Sequence, residues 1–353
     1  MKDYNTLIKN VQNRQNPESN YVVEAMTFKS LSGVINDVQK YIKIAMNEVD
    51  SLYTQRSKEA GERVKEHLQK ELTNVTYKYQ GSVMTDTHIK GYSDIDLLTI
   101  CDKFYNVDRE KVKDTINSSI KREQYYNYQI VKLETFDNHF TPYWGNFLDD
   151  LKQLRMDDER ILNNVYDICD ISNAKSIKIR NKSLNRDVDI VTASWYDDIQ
   201  SIINDKGDFR GIQVYDKYKN ILLSTDFPFL SIKRINERGS ETQGRIKKMI
   251  RFLKTLKADS TQDIDINSFD INAICYNINP NEYIDANYIM LTVVLYNKLH
   301  LICTNQIHAD TIMSVDGIEP IFRGKPHKIE ALKKLNSELS DIITELATKR
   351  VLA

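Results

Sequence analysis

No stretch of this chain approaches the roughly 18 consecutive apolar residues of a membrane-spanning helix, so no membrane partner is expected. The opening segment MKDYNTLIKNVQNRQ lacks the apolar centre of a secretory signal, and a cytosolic location is expected. Cysteine is sparse: Cys101, Cys169, Cys275 and Cys303 lie far apart and form no CxxC pair, which argues against a zinc ribbon and a disulfide framework and leaves buried thiols. Neither HxxxH nor a His/Cys cluster occurs, so catalytic zinc and Cys/His nucleophile chemistry have little support; His88 reads as a surface side chain on a short helix. Neither sign of charge dominates, with 49 basic and 50 acidic residues and a net charge of −1, so whole-molecule electrostatics do not announce a nucleic-acid binder. Internal repeats and low-complexity tracts are absent. What remains is an ordinary globular composition, 28% charged and 41% hydrophobic, in 353 residues. That length suits roughly two or three domains.

The informative segment is GSVMTDTHIKGYSDIDLLTI, residues 81 to 100. In an extended backbone alternate side chains point to opposite faces, so Asp94 and Asp96 share one face while Ile95 and Leu97 enter a core. Two carboxylates on one rigid face can hold hard cations through oxygen. Val75 to Gln80 is rich in β formers and leads into Gly81-Ser82, which predicts strand, turn, a short helix over residues 83 to 89, and a second strand from Asp94 to Cys101. A third strand region, residues 176 to 180, turns at Asn181 to Asn185 and returns through Asp187-Val188-Asp189-Ile190-Val191, as a hairpin would.

Around these strands the periodicity is helical. Leu31, Val34, Ile35, Val38, Tyr41, Ile42, Ala45, Val49 and Leu52 recur at three-and-four spacing, predicting one long helix from about Leu31 to Leu72, with Gly61 as a candidate kink. Such a helix would be about 60 Å long. Residues 103 to 139 have a weak pattern and read as an insertion; Trp144 to Cys169 return to helical spacing. From about Phe227 onward the chain reads as helices at Phe269 to Asn277, Ile246 to Lys257, Tyr288 to Cys303 and Lys328 to Leu352.

The string from Gly81 to Leu98, followed about ninety residues later by Val188-Asp189-Ile190-Val191, resembles the nucleotidyltransferase fold of the polymerase beta superfamily. More closely it resembles the cyclic GMP–AMP synthase/DncV-like nucleotidyltransferases of bacterial antiphage systems, over most of residues 28 to 310. The resemblance implies an α+β, two-lobed fold: a mixed-sheet catalytic core with a long N-terminal spine helix, residues 1–225, and a C-terminal helical domain, residues 226–353. It implies attack by a ribose hydroxyl on the α-phosphate of a ribonucleoside triphosphate, with pyrophosphate leaving and two Mg²⁺ ions, replaceable by Mn²⁺, held by Asp94, Asp96 and Asp189. Asp189 would also take the hydroxyl proton. Asp187, two residues away on the same face, competes for the third position; the apolar flanks of Asp189 match the family better, although Thr192 stands where the family usually has proline.

Further residues carry expectations from the same resemblance. Gly81 would let the backbone approach the triphosphate while Ser82 and neighbouring amides donate to its oxygens. Arg251 and Lys254, three apart on one helix, would reach the β- and γ-phosphates. Ser268 would touch the triphosphate and Phe269 would stack on the donor base, or simply pack in the core. The activity implied is synthesis of a cyclic di- or trinucleotide messenger for a separate effector, with a toxin that adds nucleotides to transfer RNA or a protein as the alternative acceptor choice. Arg56, Lys58, Arg63, Lys65 and Lys70 offer a surface for an activating structured RNA, but Glu59, Glu62, Glu66 and Glu71 interleave with them as in a salt-bridged solvated face.

Overall fold

The computed structural model describes residues 2–17, 36–91 and 93–348. The chain divides into two compact units, one made of Met1–Thr54, Thr85–Ser93 and Arg234–Ala353, the other of Gln55–Met84 and Asp94–Lys233. Residues 1–54 and 85–93 thus group with the C-terminal helices, whereas a cut after residue 225 follows chain order alone.

The second unit is built on a mixed seven-stranded sheet, β1 Val75–Gln80, β2 Ile95–Val107, β3 Cys169–Asp170, β4 Ile177–Asn181, β5 Arg186–Asp197, β6 Gly211–Asp216 and β7 Ile221–Asp226. The order β1-β2-β5-β4-β3 puts the two long strands in the middle, with β6 also pairing β5 and β7. β2 and β5 run parallel, and β4 turns directly into β5 as an antiparallel hairpin. Period-2 alternation gives the sheet two apolar faces. Ile95, Leu97, Val188 and Ile190 pack with Ala60, Val64 and Leu68 of the helix Ser51–Gln69 and with Ile161 and Leu162 of the helix Phe147–Val165. Leu98, Ile100, Ala193 and Trp195 point the other way and meet Ile212 and Phe229.

In the first unit, helices Tyr4–Gln15, Asp37–Met46, Arg245–Asp259, Ser268–Tyr276, Tyr288–Thr304 and Pro326–Thr348 share one core. Met249, Ile250, Phe252 and Leu253 at its centre are fully buried, the stripe that the spacing of the sequence predicts. No helix among the described residues is long and apolar enough to cross a membrane.

Several expectations are corrected. Leu31 to Ile35 lie outside the described residues, and the remainder of the long helix is two helices: Asn47 ends Asp37–Met46 in extended backbone, and Asp50 accepts from the Leu52 amide at 2.8 Å at the start of Ser51–Gln69. Gly61 lies inside the uninterrupted helix Ser51–Gln69; a Cβ there would lie 2.8 Å from Tyr79 of β1, so the residue serves a close approach of helix and strand. The insertion is ordered as helices Arg109–Asn117, Ser119–Arg122 and Asn127–His139, after β2 has continued to Val107.

Candidate active site

β2 and β5 place Asp96 opposite Asp189 and Ile95 opposite Val188. Ile95, Leu97, Val188 and Ile190 are each at most 1% exposed. A slip of one residue would turn the acids into that core, so the apolar flanks fix the carboxylates on the other face. Asp94, just before β2, extends the same face.

These acids perturb one another. Asp96 is pushed up to about 7, first by burial and then by the charges of Asp189 and Asp94. Asp189 is also raised, mainly by burial, with Asp94 and Asp187 adding to the shift and Lys178 opposing it. Such a group is short of positive charge. Asp94, Asp96 and Asp189 are oxygen donors of the kind a hard cation takes, although among the described residues no group of three or more His, Cys, Asp or Glu side chains is placed so that it could by itself hold a metal ion.

Lys178 stands among them. Its Nζ is 2.6 Å from Asp94 Oδ2, 3.8 Å from Asp189 Oδ2 and 4.0 Å from Asp187 Oδ2. The β4–β5 register accounts for this, setting Lys178 opposite Asp189 and Arg180 opposite Asp187. Arg180 Nη1 donates to Asp187 Oδ1 at 2.7 Å, so Asp187 is engaged in its own cross-strand ion pair while Asp189 faces Asp96.

Gly81 follows β1, whose last residue Gln80 pairs with Asp96. Its φ of +91° belongs to glycine, and a Cβ built on it would lie 2.8 Å from Asp96 Oδ2. The position is therefore constrained both by backbone and by the carboxylate beside it. Ser82, half-buried, opens a single 3-10 turn, Ser82–Thr85, instead of a helix over residues 83 to 89; Asp86, with φ of +53°, ends it. His88 is buried rather than on a surface helix, its Nε2 lying 3.0 Å from Thr54 Oγ1.

Arg251 and Lys254 belong to the helical unit, and the structure buries both, at 1% and 8% exposure, where the sequence offers them to phosphates. Arg251 donates to Met46 O at 2.9 Å and Asp86 O at 2.5 Å; Lys254 Nζ donates to Thr87 O at 3.2 Å and Thr87 Oγ1 at 3.3 Å. Burial pulls Arg251 down to about 10 and Lys254 down to about 8. These cations hold the main chain of residues 86 and 87, directly after the 3-10 turn. In the same unit Ser268 is exposed at the first position of its helix, with Asn267 as N-cap, and Phe269 is partly buried against the helical core.

Of the basic residues offered to RNA, Arg63 donates to Glu59 at 2.5 Å and Lys65 lies 3.0 Å from Glu62, as in a salt-bridged face. Lys58 and Lys70 are exposed and Arg56 is half-buried.

Sequence reasoning missed two residues. Lys178 could have been found from the hairpin: once the turn is placed, its register sets Lys178 against Asp189. Asp158, fully buried on the helix Phe147–Val165, accepts from Thr99 Oγ1 at 2.7 Å and Thr192 Oγ1 at 3.1 Å. Thr99 and Thr192 are register partners on β2 and β5, three residues beyond Asp96 and Asp189. Asp158 thus clasps the two acid-bearing strands from behind, and it gives the threonine at 192 a function that proline could not perform.

Comparison with known proteins extends this picture. Residues 233–344 match the family model of the cGAS/DncV-like nucleotidyltransferase C-terminal helical domain. The chain is 44% identical over 346 residues to a c-di-GMP synthase of a Lachnospiraceae bacterium, covering 98% of this chain and 99% of that one. It is similar to the solved structure of a STING-associated CdnE c-di-GMP synthase from Capnocytophaga granulosa, at 46% identity and a TM-score of 0.80, covering 99% of this chain and 100% of the other. A STING-associated CdnE c-di-GMP synthase from Flavobacteriaceae sp. superposes with a TM-score of 0.89 at 37% identity, over 99% of both chains.

Proposed function

Because the chain belongs to the cGAS/DncV-like nucleotidyltransferases and is a cyclic-dinucleotide synthase, we propose that its product is cyclic di-GMP made from two molecules of GTP. A ribose hydroxyl of one GTP attacks the α-phosphorus of the other, a phosphodiester forms, the hydroxyl proton is lost and pyrophosphate leaves; a second transfer closes the ring and releases a second pyrophosphate. The observation that carries this reading is the register of β2 and β5, which sets Asp96 against Asp189 with Asp94 beside them.

The chemistry of the donor set fits divalent cations: Mg²⁺ is commonly held by one or two carboxylates together with water and substrate phosphate oxygens, so the bound triphosphate would supply donors that the protein does not. Asp94, Asp96 and Asp189 would hold two such ions, with Mn²⁺ as a substitute, and the ions would supply charge neutralisation on the phosphates and a more acidic attacking hydroxyl. Asp189 accepts the hydroxyl proton. Gly81 leaves room for phosphate oxygens beside Asp96, and Ser82 donates to them. Arg251 and Lys254 are the family's candidates for triphosphate contact. Ser268 and Phe269 are the candidates for contacts to the triphosphate and the donor base. The relatives are STING-associated, which supports a separate effector that responds to the cyclic dinucleotide.

The test is incubation of the purified protein with each ribonucleoside triphosphate alone and in pairs, with Mg²⁺ or Mn²⁺, followed by mass spectrometry. Cyclic di-GMP from GTP alone, absent with Asp96→Ala, is the expected result. A product that requires a second nucleotide overturns the choice of GTP, and equal products from wild type and Asp96→Ala overturn the site. An arm with structured RNA measures any activation, and product formed from triphosphates alone removes the transfer-RNA or protein acceptor.

A further inference from the structure

The acid face of the sheet carries a cation of its own, and the reaction as written gives it no task. Lys178 Nζ is 2.6 Å from Asp94 and within 4.0 Å of Asp189 and Asp187, so one ammonium serves three carboxylates. Its side chain is 43% exposed, as fits a group free to leave toward water. Its neighbour on the strand provides the contrast. Arg180 binds Asp187 at 2.7 Å and Asn185 Oδ1 at 2.5 Å, and touches none of Asp94, Asp96 and Asp189. Of the two basic side chains that β4 sends toward these acids, only Lys178 has its nitrogen within 4.0 Å of Asp94 and Asp189.

We propose that Lys178 is a resident counter-ion of the metal-free site, which must give up Asp94 before Asp94, Asp96 and Asp189 can hold a divalent cation, and which therefore sets the metal concentration at which the site fills. The inference rests on the reading of these three acids as metal donors. Asp94 Oδ2 holds the ammonium at 2.6 Å, so a divalent cation on the same acids would stand a few ångströms from it, where two cations repel strongly even at a partly solvated surface. Lys178 is thus a positioning residue: it neutralises the acids while no metal is bound and competes with the ion that replaces it.

The experiment measures Mn²⁺ binding to the full-length protein without nucleotide, by electron paramagnetic resonance of free Mn²⁺. Lys178→Met is expected to tighten binding on the order of tenfold, Lys178→Arg to remain near wild type, and Arg180→Met to change affinity by less than about threefold. Unchanged or weaker binding in Lys178→Met overturns the proposal, as does an equal gain in Arg180→Met, which would mean that charge anywhere on the strand is enough. Binding to wild type that survives Asp94→Ala and Asp189→Ala unchanged, or no binding to any variant, overturns the reading of the acids as metal donors, a separate outcome. Melting curves serve as the second readout. Lys178→Met without metal is expected to melt below wild type, and Mn²⁺ to raise its melting temperature more than that of wild type; an equal rise in both counts against the proposal.

Discussion

In the sheet unit four aspartates, Asp94, Asp96, Asp187 and Asp189, crowd one face, and a lysine and an arginine from the next strand reach across to them. In the helical unit two cations, Arg251 and Lys254, lie one turn apart inside packed helices, and their hydrogen-bonded partners are main-chain carbonyls and a threonine hydroxyl, with Glu48 Oε1 3.6 Å from Arg251. Both are concentrations of like charge, but they are held differently. The acids keep part of their surface in water and have partly exposed counter-ions, so their charge can be exchanged for that of a ligand. The buried cations have given up water mainly for main-chain and hydroxyl dipoles, with Glu48 beside Arg251, and their charge serves first to fix the backbone they hold. Charge type alone, legible in the sequence, does not distinguish these two uses; solvent access does.

Gly81→Ala strains the acid side of this contrast most. The added Cβ meets Asp96 Oδ2 at 2.8 Å, and the φ of +91° is unfavourable for alanine. Displacing a reacting group by about an ångström costs on the order of a hundredfold in rate. The expected outcome is a loss of that size in cyclic-dinucleotide formation, with a stability cost of about 1–2 kcal/mol in denaturant melts. Near wild-type activity would mean that Asp96 has slack on its face, and that the close packing beside it is incidental.

The strands, the hairpin and the stripe of Arg245–Asp259 were legible because each rests on a local period that a core then rewards. Less legible was whatever depended on pairing. Lys178 becomes significant only through the register that sets it opposite Asp189, and Asp158 only through two threonines 59 and 34 residues away. The break after Met46 was masked because apolar spacing continues across it, although Asn47 and Asp50 are good end and cap residues. In Asn127–His139 only Ile130 and Leu133 are buried, so its period rests on two side chains. Arg251 and Lys254 were correctly placed on one helix face, but nothing local to the helix reveals that the chain at residues 86 and 87 covers them.

Asp158 belongs to neither pattern and tests the sheet from behind. Burial pushes its carboxyl from 3.8 to about 7 against the opposing hydrogen bonds of Thr99 and Thr192 and the charge of Arg155. A raised acid binds more protons in the folded than in the unfolded state, so its contribution is most favourable below about pH 4 and is lost as pH rises through about 7. Asp158→Asn is expected to flatten that part of the stability profile while still accepting from the threonines. Asp158→Ala leaves both hydroxyls and a void, a cost of about 3 kcal/mol measured by urea melts. If Asp158→Asn shows the same pH slope as wild type, another group carries it, and the clasp is a hydrogen-bonding device alone.

The smallest expected effect is the one that reaches the contrast most directly. Lys254 falls from 10.5 to about 8, chiefly through burial, with Arg251 adding repulsion. A lowered base binds fewer protons when folded, so its cost applies in full below about pH 8 and fades as pH approaches 10.5; wild-type stability should climb across that interval. Lys254→Met keeps the apolar stem and removes the charge, at the loss of two long hydrogen bonds to Thr87. The variant is therefore expected to gain about 1 kcal/mol at pH 7 and nothing near pH 10. Its KM for GTP, the proposed substrate, should rise through loss of the ammonium offered to the triphosphate and of the Thr87 tether, with a smaller change in kcat. A variant less stable than wild type at pH 7 would show that the ammonium stabilises the fold through those carbonyl bonds. The two units would then differ only in where their charge lies, and not in what it costs to keep it there.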